Sequence, residues 1–193
     1  MKARRGTWHE QFDRIDANRL VFLDESGAKS NLTRLWGRAP VGQRLVAKIP
    51  HGHWQTSTII SAIRLAGPFA PAVFDGPADA DTFRAYVQQV LSPRLRPGEI
   101  VVMDNLSAHK APGIESAIRA VGASVLYLPP YSPDFNPIEA MWSKVKSHLR
   151  SAAARTFEAI CDAVADALTH VTTNDCQGFF QNCGYATATV NPL

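Results

Sequence analysis

Short uninterrupted runs of hydrophobic residues mark the first part of this chain and recur at intervals along it. Leu20–Leu23 and Ile100–Met103 are continuous apolar runs, which is typical of strands that are buried on both faces of a sheet. Other apolar or β-branched runs predict further strands at Leu45–Ile49, Thr56–Leu65, Ser124–Leu128 and a short Ala72–Phe74. Gly67-Pro68 reads as a break between the last two strands that precede the first helix.

Helical periodicity follows the first strands and then alternates with them. Predicted helices run from Asp79 or Asp81 to about Leu95, over Pro112–Val121, from Asn136 to Arg150, from about Thr156 to His170, and from near Asn174. The order is therefore β-β-β-α-β-α-β-α-α, which predicts a mixed sheet with helices packed on it, an α/β domain.

The helix that begins at Asn136 carries the most specific signals. Asn136 suits the N-cap, Pro137 the first helical position, and Glu139 falls at the third position, where a glutamate can complete a capping box. At about 100° per residue, Glu139 shares one face with Lys146 and Arg150. An acid followed by two cations suits a metal and a phosphate backbone, whereas a capping acid with solvated cations is the alternative.

Composition places the chain among ordinary globular proteins. Its 193 residues suit one domain, and 46% hydrophobic against 19% charged residues excludes a disordered chain. A net charge of +3 permits a nucleic-acid partner without requiring one. The three cysteines are odd in number and form no Cys-x-x-Cys pair, which favours a reducing cytosol over a disulfide scaffold. We expect residues 1–18 to form an arm or linker remnant and residues 19–193 to form the domain.

Three carboxylates stand out by their positions. Asp24 and Asp104 follow buried strands, and Glu139 opens a helix. Because ligands bind where neighbouring strands of an α/β sheet end, these acids are expected to meet, and a hard divalent cation would relieve their repulsion. Each acid alone is also explained by turn or cap chemistry. One rival acid is Glu25, which alternation places on the opposite side of its strand from Asp24. The others are Asp75, which follows a proline-broken stretch, and Asp134, which lies in a Ser-Pro-Asp turn.

Three blocks, LVFLDES, IVVMDNLSAHK and LPPYSPDFNPIEAMWSKVK, resemble the catalytic blocks of DDE transposases of the mariner-type superfamily. The resemblance spans roughly residues 20–185. The 34 residues between Asp104 and Glu139, and a glutamate as third acid, are similar to the bacterial insertion-sequence-630 branch.

The resemblance implies a ribonuclease H-like fold with a five-stranded sheet whose second strand is antiparallel to the rest. It implies that Asp24, Asp104 and Glu139 hold two Mg²⁺ or Mn²⁺ ions. The enzyme would cut DNA at the ends of an insertion sequence and join the 3′-hydroxyl to a target, commonly TA, as a dimer on DNA. Supporting roles would fall to Asn105, His109 and Asn136, and DNA contacts to Lys146, Arg150, Lys144 and Lys110. The expected location is a bacterial cytoplasm, associated with the nucleoid.

Relatives in this family carry helix-turn-helix DNA-binding modules before the catalytic domain, and only about 20 residues precede the first strand here. The chain is therefore expected to be a catalytic half: a second reading frame joined by frameshifting, a truncated remnant or a trimmed piece. The alternatives to an active transposase are a degenerate domain that only binds DNA or a partner, and a generic nuclease. A phosphatase with Asp24 as nucleophile is disfavoured, because Ser26 stands where a second aspartate is needed.

Overall fold

The computed structural model describes Trp8 and residues 15–185. Five strands form one sheet: β1 (Leu20–Lys29), β2 (Thr56–Arg64), β3 (Gly67–Asp75), β4 (Ile100–Met103) and β5 (Ser124–Tyr127). The strand order is β3-β2-β1-β4-β5. Strand β2 is antiparallel to both of its neighbours, while β1, β4 and β5 are parallel. The predicted mixed five-stranded sheet, with its second strand reversed, is confirmed.

Helices cover both faces of the sheet. They are α1 (Ala80–Tyr86), α2 (Ile114–Ala120), α3 (Pro137–Ala152), α4 (Phe157–Thr169) and α5 (Thr173–Asn182). Helix α1 begins at the predicted cap Asp79, whose side chain accepts a hydrogen bond from the Thr82 N–H, and continues through a π-helical turn at Val87–Leu91. None of the helices within residues 15–185 combines the length and hydrophobicity that crossing a bilayer requires.

Two hydrophobic cores lie on opposite faces of the sheet. Leu20 and Phe22 point into the core shared with α3, α4 and α5. Val21 and Leu23 point into the core shared with α1 and α2. A central strand buried on both faces explains why its sequence is continuously apolar rather than alternating.

Three strand predictions need correction. Leu45–Ile49 is not a strand, and the Leu45, Val46 and Ile49 side chains are exposed. Strand β1 runs to Lys29, well past the predicted end at Leu23, because its second half pairs with β2. Gly67-Pro68 begins β3 rather than breaking the chain. A proline is tolerated there because β3 lies at the sheet edge, where one side of the strand needs no N–H donor.

Part of the predicted N-terminal arm is built into the fold. Trp8 is buried, its ring stacks on Phe135 at a centroid distance of 6.4 Å, and its Nε1–H donates to the Tyr185 hydroxyl. Residues 1–7 and 9–14 of that arm lie outside the described residues. The three cysteines, Cys161, Cys176 and Cys183, are free thiols.

Candidate active site

Three carboxylates from distant parts of the sequence line one open cavity of about 390 Å³. Asp24 comes from β1, Asp104 follows β4, and Glu139 lies in the first turn of α3. The remaining wall is formed by Asn105, Leu106, Leu128, Pro129, Pro130, Tyr131, Ser132, Pro133 and Asn136. The structure therefore brings together the three acids singled out from the sequence, along with two of their three predicted supporting residues.

Asp24 lies inside β1 rather than at its end. Its backbone is opposite Ser61 of β2, whereas the parallel pairing of β1 with β4 stops at Phe22 and Val102. Asp24 therefore stands just beyond the point where β4 ends, on the same face as Phe22. The prediction that a strand ends at this acid was wrong for β1, although the neighbouring strand β4 does end there.

Asp104 is held in place by its own loop. The Leu106 N–H donates to Oδ1 of Asp104 at 3.0 Å, and Nδ1 of His109 lies 2.6 Å from the same oxygen in an ion pair. Burial acts to raise the pKa of this carboxyl, but the contacts with His109 and Leu106 outweigh it and hold the pKa below its ordinary value. Asp104 is therefore ionised and oriented before any cation binds.

His109 is fully buried behind Asp104 and does not line the cavity. Its Nε2 lies 2.8 Å from Oε2 of Glu25, and its ring stacks on Phe83 at 4.3 Å. Burial alone would lower the pKa of His109, yet the two carboxylates raise it to about 10, so the imidazole is charged. Direct contact of His109 with a bound phosphate or metal water is thus not what the structure shows, and its role is to connect Glu25 with Asp104.

Glu25, which the sequence offered only as a rival to Asp24, contacts His109 behind the cavity. Alternation correctly placed it on the face opposite Asp24, where it meets His109. The signal available in the sequence was a buried strand with two consecutive acids, one for each face. Nothing in the spacing of residues 25 and 109 indicated that they would meet.

Glu139 does not complete a capping box. Asn136 occupies the N-cap position, but its side chain makes no capping hydrogen bond. Instead Asn136 is buried and lines the cavity, and its Oδ1 accepts no hydrogen bond from any residue that the structure describes. The capping explanation of this acid is therefore not supported, and both Glu139 and the Asn136 oxygen remain available at the mouth of α3.

Burial and the neighbouring acids change the pKa of Asp24. Burial, followed by the negative charge of Glu139, raises the pKa of Asp24 to about 8, and Glu25 and Asp104 add to the effect. Three carboxylates in one cavity thus resist simultaneous ionisation. An all-oxygen donor set of this kind fits a hard divalent cation such as Mg²⁺, which would relieve the repulsion.

The four predicted DNA-contacting cations differ in their surroundings. Nζ of Lys144 lies 2.6 Å from Oδ2 of Asp175 on α5, so this lysine is already engaged. Lys110 is exposed and lies 5.2 Å from the centre of the Tyr127 ring. Lys146 and Arg150 are half-buried on α3, and neither forms an ion pair with a described residue.

The chain is similar to one family model, one transposase sequence and two solved structures. The model of the family described as DDE superfamily endonuclease matches residues 19–161. The Transposable element Tcb2 transposase of Caenorhabditis briggsae is 28% identical over 177 residues, covering 82% of this chain and 62% of that protein. A pre-cleavage Mos1 transpososome contains a chain with a TM-score of 0.71 and 13% identity, covering 95% of this chain and 57% of that one.

The Mos1 mariner paired end complex with Mg gives a TM-score of 0.69 at 16% identity, over 95% of this chain and 59% of that chain. At these identities the structural similarity establishes the fold, a mixed five-stranded sheet with flanking helices shared with the Mos1 protein. The chain spans less than two thirds of the length of these relatives.

Proposed function

The chain belongs to the DDE superfamily endonucleases, and from this premise we propose that it is the catalytic domain of a mariner-type transposase that cuts and joins DNA. The observation that carries the proposal is the convergence of Asp24, Asp104 and Glu139 in one cavity, where burial, followed by the charge of Glu139, raises the pKa of Asp24 to about 8. A cavity of crowded carboxylates costs stability, so it indicates a ligand of opposite charge.

We assign the three acids as ligands of two divalent metal ions, Mg²⁺ or Mn²⁺. Such ions, when bound, activate the attacking oxygen and stabilise the leaving oxygen in phosphoryl transfer. The mariner Mos1 paired end complex with Mg supports this assignment by analogy of fold.

Other residues of this chain position the acids or add further polar groups to the site. His109 and the Leu106 N–H hold Oδ1 of Asp104, and the residue lines the cavity. The side-chain carbonyl oxygen of Asn136, which has no hydrogen-bond partner within residues 15–185, can accept a hydrogen bond from a water or from a substrate hydroxyl. Asn105 is exposed at the cavity wall and can contact DNA or a bound water there.

We propose that α3 lies along the DNA backbone. Lys146 and Arg150 lie about two and three turns beyond Glu139 on the same helix, so a phosphate chain that reaches the cavity can also meet these cations. Lys110 is exposed and can join them, whereas Lys144 must first leave Asp175.

The finer parts of the proposal concern the whole transposase. We propose that the chain belongs to the bacterial insertion-sequence-630 branch, acts as a dimer on paired element ends in the cytoplasm, and inserts at TA. Recognition of the ends is assigned to a helix-turn-helix module that acts with residues 19–193. The Mos1 transpososome and paired-end complex support the assembly on paired element ends, and the 34 residues between Asp104 and Glu139 are the basis for proposing the branch.

Metal titration and DNA nicking test the proposal together. We expect Mn²⁺ to bind the purified chain by calorimetry and to support nicking of a supercoiled plasmid. Asp104→Asn and Glu139→Gln should each lower nicking at least about 100-fold, while Asp75→Asn, an exposed acid at the end of β3, should leave it unchanged.

The outcomes separate the alternatives. Nicking that persists in Asp104→Asn would refute the assignment of that residue. Binding of DNA without metal uptake would indicate a degenerate domain that only binds DNA or a partner. Metal-dependent nicking with no joining of 3′-ends, even with an upstream DNA-binding module added, would indicate a generic nuclease.

A further inference from the structure

A cluster of nitrogen and oxygen donors lies outside the carboxylate cavity, where α3 meets the end of α4. We propose that His148, Asp166 and His170 form a binding site for a transition-metal ion, best suited to Zn²⁺. One donor atom from each residue lies within 4.8 Å of the other two. None of the three lines the carboxylate cavity, and His148 follows Glu139 by about 13 Å along α3.

Two rigid elements position the donors. Asp166 lies in the last turn of α4, and His170 follows four residues later as its C-cap with helical dihedrals, so both side chains share one face. His148 comes from the facing side of α3. Its Nε2 lies 2.6 Å from Oδ2 of Asp166, and the two imidazole rings are 4.9 Å apart between centroids.

The hydrogen bonds already select the metal-binding nitrogen of His170. Its Nδ1 lies 2.8 Å from the main-chain carbonyl oxygen of Asp166, and a carbonyl can only accept. Nδ1 must therefore carry a proton, and Nε2 is the nitrogen left to bind a metal ion. A ligating histidine whose other nitrogen donates to a backbone carbonyl is a recurrent arrangement at metal sites.

The donor set determines the kind of metal. Two imidazoles and one carboxylate suit Zn²⁺ and related ions, whereas Mg²⁺ prefers oxygen ligands alone. The fourth position would be taken by water, because the His148 and Asp166 side chains are 32% and 59% exposed. To bind His148, the ion must replace the proton shared between Nε2 and Oδ2. The bound ion would then link the second half of α3 to the end of α4.

Zinc titration of the metal-free protein tests this site. We expect calorimetry to show one Zn²⁺ bound that Asp24→Asn, a change in the other cavity, does not remove. Loss of an outer partner alone weakens a metal site roughly 10–100-fold, so His148→Gln and His170→Gln should each weaken binding at least about 100-fold. A His51→Gln/His53→Gln double variant, which changes two exposed histidines of the loop before β2, is the matched control.

Thermal unfolding provides a second measurement. Zn²⁺ should raise the melting temperature of the wild type and of the control by more than that of either single variant, because each single variant keeps only the carboxylate cavity as a site for a divalent cation. If a variant is unstable without metal, the site is tested in the wild type by NMR with added Co²⁺. A bound paramagnetic ion should broaden the imidazole signals of His148 and His170. Equal zinc affinity in all variants, or broadening confined to other histidines, would show an adventitious ion only and overturn the proposal.

Discussion

Asp24 and Asp104 line the same cavity, yet replacing each by its amide should change stability in opposite directions. Burial and the neighbouring acids raise the pKa of Asp24, whereas the charged His109 and the Leu106 N–H hold the pKa of Asp104 below its ordinary value. We therefore expect Asp24→Asn to stabilise the metal-free protein and Asp104→Asn to destabilise it. Both variants should lose metal-dependent activity, so their activity would not distinguish them.

The magnitudes follow from the two environments. A carboxyl with a pKa of about 8 instead of 3.8 costs folding about 1.4 kcal/mol for each pH unit above 3.8, which is about 4 kcal/mol at pH 7. The buried amide recovers only part of this because it still needs hydrogen bonds, so a gain of about 1–3 kcal/mol is expected. Asp104 loses a charge-assisted contact, but its side chain is 38% exposed, and solvent screening limits the loss to about 1–2 kcal/mol.

The pH dependence has a definite sign. The pKa of Asp24 is higher in the folded protein than in the unfolded chain. The loss in free energy of unfolding that Asp24 causes is therefore absent below about pH 3.8 and grows until about pH 8. The advantage of Asp24→Asn should grow over the same window. Added Mg²⁺ should reduce the difference in free energy of unfolding between Asp24→Asn and the wild type, because Mg²⁺ stabilises only the protein that retains all three acids.

Urea unfolding in the presence of a chelator measures both effects, with Asp75→Asn as a control expected within about 0.5 kcal/mol of the wild type. A lower midpoint for Asp24→Asn would refute the crowding of the three acids. A midpoint for Asp104→Asn equal to that of the control would show that His109 does not hold this carboxylate.

Three further changes test other parts of the fold. Glu25→Leu removes the acceptor facing a fully buried imidazole and should cost about 2–4 kcal/mol in urea unfolding, with Glu25→Gln costing less than half of that because it keeps an acceptor. Ala153→Gly should raise the free energy of unfolding by about 0.5–1 kcal/mol, because Ala153 ends α3 with a φ of 52°, whereas Ala152→Gly, one residue earlier in the helix, should lower it by a similar amount. Lys144→Met should raise the pKa of Asp175, measured by NMR titration, from about 2 toward but not up to 3.8, since hydrogen bonds from Thr172 remain; an unchanged value would refute the ion pair.

The local hydrophobic pattern was sufficient to predict the central strands and the helix that begins at Pro137. Leu20–Leu23 and Ile100–Met103 are apolar because both faces of these strands are covered. Burial on both faces makes consecutive residues apolar, and such a run is recognisable in the sequence. The helix from Pro137 was equally readable, because its stripe of buried residues, Met141 and Trp142 among them, recurs at helical spacing.

The errors arose where a partner strand or solvent decides the structure. The residues Gly27 to Lys29 have little intrinsic strand preference, and they are extended only because β2 pairs with them. Leu45–Ile49 has the composition of a strand, but no described strand pairs with it. Hydrogen bonding between distant segments cannot be read from either stretch alone.

The same limit explains why the cavity could be predicted but its support could not. Alternation along β1 places Asp24 on the face of α3 and Glu25 on the face of α1, a consequence of strand geometry that any sequence shows. That Glu25 reaches Asp104 through His109 depends on how the loop after β4 folds over the second face. One strand thus supplies a cavity acid on one side and the anchor of a second cavity acid on the other. A shift of β1 by one residue would move Asp24 and Glu25 to each other's face and remove both from their present positions. The site therefore depends on the strand register, in which Phe22 pairs with Ile63 and Val102, as well as on the acids.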